Sequence, residues 1–135
     1  MATSTLLSNP VVTINAIDVS DQVSSAVLHI NYTQLTATAF GDTDSKYVKG
    51  LGDHSIDIEM YNSYAASETW ATLKDLVGTT TTVKIKPTNA ATSATNPEVS
   101  LTGTFLAELP PNFSLGALST VSISFTGGVY SVATA

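Results

Sequence analysis

The side chains with the widest chemical reach in this sequence are its two histidines, His29 and His54, because imidazole is the group that titrates near neutrality without outside help. Nucleophilic hydrolysis would need one of them beside a serine that it can deprotonate, with a carboxylate on its other nitrogen. Serine is so abundant here that Ser, His and Asp sets arise by chance, and no nucleophile-elbow spacing stands out. Both histidines fall in or beside segments of strand-like alternation, so ordinary strand histidines are the better reading. No catalytic residue is expected.

The carboxylates offer two further chemistries. Asp42, Asp44 and Asp53 cluster in or beside one loop, and Asp18 with Asp21 brackets a turn; such clusters can hold calcium, but the EF-hand spacing is missing. Aspartate is also common in turns because it bonds nearby backbone N–H groups, and no metal is expected. Asp57 and Glu59 stand two residues apart, which on a strand puts both on one face about 6 to 7 Å from each other. That geometry admits a glycosidase pair, a solvated outer face, or an acidic pore lining that keeps DNA from sticking. A glycine-rich phosphate loop is lacking, so no cofactor or small-molecule substrate is expected.

These residues must be positioned by a mostly β fold. Alternation of period two runs through Val12, Ile14 and Ala16; Ala26, Leu28 and Ile30; and Leu35, Ala37 and Ala39. It is clearest where Ile56, Ile58 and Met60 alternate with Asp57, Glu59 and Tyr61. Val83 and Ile85 alternate with Lys84 and Lys86; Val99, Leu101, Gly103 and Phe105 with Ser100, Thr102 and Thr104; and Val121, Ile123 and Phe125 with Ser122, Ser124 and Thr126. About seven strands follow. One segment changes period: Trp70, Leu73, Leu76 and Val77 predict a helix over about 67–77, with Ser67 as N-cap and Gly78 as stop. Gly41 to Gly52 and Asn89 to Pro97 read as long loops. The expected organisation is an N-terminal arm over 1–10, one domain over 11–130 and a C-terminal tail over 131–135.

Composition narrows the function. The 135 residues carry five lysines, no arginine and a net charge of −6, which repels a phosphate backbone and argues against tight nucleic-acid binding. Charged residues make up only 12%, against about 25% in ordinary domains; a surface so poor in charge is easily buried against another subunit. There is no cysteine, hence no disulfide and no thiolate site. The first residues carry no positive n-region and no apolar run long enough for a signal peptide or a membrane span, so cytoplasmic synthesis and no membrane partner are expected. On that reading, the Asn31-Tyr32-Thr33 and Asn112-Phe113-Ser114 sequons carry no meaning.

Several stretches, in order and spacing, resemble the small major tail proteins of long-tailed bacteriophages, particularly actinobacterial phages. They run from Ile17-Asp18-Val19-Ser20-Asp21 through Thr38-Ala39-Phe40-Gly41-Asp42 and Gly50-Leu51-Gly52-Asp53-His54 to Ile56-Asp57-Ile58-Glu59. The Trp70 helix, Val83-Lys84-Ile85-Lys86-Pro87, Ala94-Thr95-Asn96-Pro97 and Phe125-Thr126-Gly127-Gly128 continue the match. The resemblance implies a β-sandwich or barrel-like core with a flanking helix, and hexameric rings stacked into a hollow tail tube through which DNA passes transiently. It also implies a place in the virion tail, partners such as a tape-measure protein, and no enzymatic activity. Asp57 and Glu59 are then lumen candidates, with Lys84 and Lys86 as a competing face. Asp42, Asp44, Lys46, Tyr47 and Lys49 are candidates for contacts between rings. The rival readings are a capsid decoration protein or another tail component such as a terminator and, from a different class, a carbohydrate-binding module using Tyr47, Tyr61, Tyr64 and Trp70.

Overall fold

In the computed structural model, residues 10–113 and 115–134 are described; residues 1–9 of the expected arm lie outside them. They form ten strands and one short helix. Strands β1 (Val11–Ile14), β2 (Ile17–Asp18), β7 (Thr80–Lys86), β8 (Glu98–Leu106), β9 (Thr120–Thr126), β6 (Ser55–Tyr61) and β3 (Val23–His29) make one antiparallel sheet in the order β2-β1-β7-β8-β9-β6-β3. Strand β10 (Val129–Ala133) also pairs with β8, so residues 131–133, expected as a tail, belong to the sheet. Strands β4 (Tyr32–Thr36) and β5 (Tyr47–Gly52) pair only with each other.

Three glycines fold this sheet around a core. Thr126 pairs with Phe105 and Val129 with Thr102, so β9 and β10 form one line along β8 that crosses Gly127 and Gly128 without changing register. Those two glycines, and Gly103 facing them on β8, have φ of 76°, 93° and 74°, a region that favours residues without a Cβ. The bend sends β9 to pair with β6 while β10 stays on β8. Ile56, Ile58, Met60, Ile123 and Phe125 from one half thereby meet Ile14, Val83, Leu101 and Leu106 from the other in a single buried cluster.

Gly103 also corrects the expected facing of β8. It is an extra residue between the Thr81–Thr104 and Thr82–Thr102 pairs, a β-bulge that shifts the alternation by one. Thr104 and Leu106 therefore point into the core and Phe105 is exposed. Thr104 is tolerated there because its hydroxyl donates to the Thr126 carbonyl at 3.1 Å.

Other expectations shift locally. Asn15 and Ala16 have φ of 52° and 64° and make the two-residue turn from β1 to β2, so Ala16 is not in the first strand. The helix α1 is only Thr69–Leu73, followed by turns to Gly78. Ser67 is not its cap: it sits at φ 61° while Glu68 holds the N-cap position. Leu73 is buried, Leu76 packs against the core and Val77 is exposed. The Thr69 hydroxyl fixes the element to the sheet by donating to the Tyr61 carbonyl at 2.7 Å. The 89–97 loop is organised by buried Asn96, whose amide donates to the carbonyls of Ala90 and Ala91 and whose Oδ1 accepts from Thr88 N.

Candidate assembly surfaces

Two surfaces gather the residues that the sequence singled out. The first is the outer face of β3, β6 and β9. Its cross-strand rows are Val27, Asp57 and Ser124, then Ser25, Glu59 and Ser122; all six are exposed. His29, exposed at the end of β3, reaches diagonally to Asp57 Oδ2 at 3.0 Å, and the Ser124 hydroxyl donates to Asp57 Oδ1 at 2.7 Å. The residue types are those of a hydrolase triad, but the aspartate sits in the middle, and among the described residues the imidazole bonds Asp57 rather than a serine. Sequence reasoning missed Glu108, which the chain after β8 brings to the same depression as Asp57, Glu59, Ser122 and Ser124. Nothing in its neighbours' types signalled this.

The Ser124 hydroxyl, and secondarily His29, holds the Asp57 carboxyl below its ordinary range. A carboxylate stabilised in the folded state contributes stability that is present above its unfolded pKa and is lost as pH falls through the folded value. Removing the hydroxyl in Ser124→Ala is expected to move the Asp57 titration upward, followed by carboxyl-carbon NMR; an unmoved titration would show the contact to be without weight.

The competing cationic face lies on the other half of the sheet. Lys84 finds Glu98 at 3.8 Å, and Lys86 donates to the Ala90 carbonyl at 3.1 Å. Among the described residues no three metal-ligating side chains converge. Asp42 lies at the ribbon tip, while Asp18 bonds Ser20. His54 is buried between the Tyr32 and Tyr130 rings, with centroids at 5.0 and 5.5 Å.

The second surface is the β4–β5 ribbon, which the sequence reading treated largely as a loop. Tyr47–Gly52 is a strand instead. The His29–Ser55 and Tyr32–Gly52 pairs share one register, so β4 and β5 carry the line of β3 and β6 beyond the sheet, with a register shift between Tyr32 and Gln34. Every residue of β4 is exposed, and the alternation of Leu35, Ala37 and Ala39 marks no buried face. Asp42 and Lys46 meet at 2.8 Å, and that pair, with the Ala39 N–H donating to Asp42, holds the Asp42 carboxyl below its usual range. Lys49 lies 4.0 Å over the Tyr32 ring. Asp44 is exposed in the tip and Tyr47 is exposed where β5 begins. Sequence reasoning overlooked the apolar content of this arm: Leu35, Phe40, Val48 and Leu51 are all exposed.

Of the four aromatic residues that would suit a sugar platform, only Tyr64 and Trp70 are in ring contact with each other. Tyr64 contacts Trp70 and Phe113 beside the helix, Tyr61 ends β6 and Tyr47 begins β5.

No family model and no curated protein matches the chain. Solved structures do. A chain in the virion of a native gene transfer agent particle superposes with TM-score 0.76 at 8% identity, covering 96% of this chain and 99% of that one. A chain of the sheath-tube complex of an extracellular contractile injection system gives 0.71 at 11%, covering 98% and 93%. Hcp1 from Flavobacterium johnsoniae gives 0.52 at 15%, covering 90% and 97%. The chain has the tail-tube fold. In this chain the fold is carried by alternation along β6 and β9 and by the glycine bend that joins the halves of the sheet.

Proposed function

We propose that this chain is a structural, non-enzymatic tail component that assembles with copies of itself into stacked hexameric rings, forming a hollow tube for DNA passage in a virion. The observation that carries the reading is the ribbon. A two-stranded ribbon is marginal alone in water, yet this one leaves both faces uncovered and exposes Leu35, Phe40, Val48 and Leu51. A surface of this kind needs a partner to cover it. The tail-tube fold makes further copies and other tail proteins, a tape-measure chain among them, the natural partners.

In this reading the β3–β6–β9 face lines the bore. Asp57, Glu59 and Glu108 supply negative charge among serines and threonines, and the cross-strand rows contain no lysine, so passing phosphates find no counter-charge. Asp42, Asp44, Lys46, Tyr47 and Lys49 on the ribbon contact the next ring. Negative-stain microscopy of concentrated protein is expected to show tubes; small uniform particles at every concentration and salt would refute the proposal. A second reading has its own support, because the chain also matches a sheath/tube terminator and a tube-terminating cap at TM-scores of 0.69 and 0.71. A terminator would give rings without extended tubes in the same images.

A further inference from the structure

We propose that Phe40, at the tip of the β4–β5 ribbon, seats in the apolar groove between β1 and β3 of a second copy of this chain. The inference rests on the self-assembly reading and names the surface that receives the arm.

The tip is built to hold a ring in water. Asp42 pairs with Lys46 and accepts from Ala39 N, and Thr38 Oγ1 accepts from Lys46 N. Ala37 N donates to the Lys46 carbonyl, and Gly41 turns at φ 92°. On this frame Phe40 is fully exposed, which on its own is an unfavourable way to place an aromatic side chain. The Asp42–Lys46 pair leaves the tip one net negative charge, on exposed Asp44, and Lys86 lines the groove.

The groove has the complementary character. Of about 440 Å³, it is lined mostly by apolar side chains, among them Val12, Val23, Ala26 and Ile85, together with Ser25 and Lys86, and has room for an aromatic ring. Its position rules out the chain's own arm. The groove follows the Val23–Ala26 half of β3, whereas the ribbon leaves from the His29 end and runs away from it. Phe40 lies eleven residues past His29, on the order of 30 Å along an extended strand. Knob and groove are different surfaces, so the contact is heterologous: each copy gives an arm and receives one, and the series closes into a ring or propagates.

The chain's lack of cysteine makes the test clean. A Phe40→Cys, Ala26→Cys double variant, assembled, oxidised and run on a non-reducing gel, is expected to give a ladder of covalent multimers that vanishes on dilution before oxidation. Mixed single-cysteine chains should stop at dimers. Tubes in the microscope with no ladder would overturn the pairing, whether the groove then stays empty or takes another segment. Phe40→Asp covers the case in which the double variant does not assemble: at least a tenfold higher critical concentration is expected with an unchanged circular dichroism spectrum, and an unchanged critical concentration would overturn the pairing. Failure of the unmodified chain to assemble at all would instead refute the self-assembly reading, and the pairing with it.

Discussion

Replacing residues 37–46 with an Asn-Gly turn is expected to leave a folded protein that forms no tubes at concentrations where the parent chain forms them. The body should survive because none of the residues in its buried core cluster lies between positions 20 and 55. The new turn suits a two-residue hairpin, so β4 and β5 keep a short connection of the right handedness. What is lost is Phe40 and the frame around it. Thermal unfolding followed at low concentration reports on the body, and electron microscopy on assembly. Normal tubes from a folded variant would end any role for the tip, whereas loss of both readouts would mean that the ribbon supports its own domain.

The second large effect falls on the glycine bend, where two substitutions separate backbone strain from crowding. A Cβ at Gly103 meets nothing within 4 Å, but its φ is +74°, so Gly103→Ala is expected to cost about 1 to 2 kcal/mol, the ordinary penalty for an L-residue in the left-handed region. At Gly128 the φ is +93° and a Cβ would stand 3.0 Å from both Thr102 O and Thr104 N. Those are backbone atoms of β8 and cannot swing aside, so Gly128→Val should add a steric penalty to the strain and exceed about 3 kcal/mol in all. Guanidinium unfolding of unassembled protein measures both. Equal losses would mean that the close approach of the two strands at the bend contributes nothing.

The parts of this fold legible in the sequence are those in which chemistry repeats locally. Ile56, Ile58 and Met60, like Val121, Ile123 and Phe125, alternate strictly, and both strands lie where the alternation put them, with Asp57 and Glu59 outward. The facing of Phe105 was not legible, because a one-residue bulge at Gly103 inverts every side chain after it. The second strand of the ribbon escaped notice because glycine and lysine are poor strand formers, and Tyr47–Gly52 is held by pairing with β4 rather than by a buried face. Helix α1 came out shorter than its apolar spacing suggested, since Leu76 reaches the core from a turn. Asp57 and Glu59 were readable as a pair, but Ser124 and Glu108 join them only through the sheet order and the path after β8.

Because β4 and β5 follow β3 and β6 across a break of two residues on each side, a force pulling the arm along its axis enters the body along the strands. Antiparallel hydrogen bonds run perpendicular to that direction, and those joining β6 to β9 must therefore shear together instead of opening one after another like a zipper. An arm rooted in this way passes tension into the body while the ladder shares the load, a mechanical strength that the proposed tube would draw on when it bends.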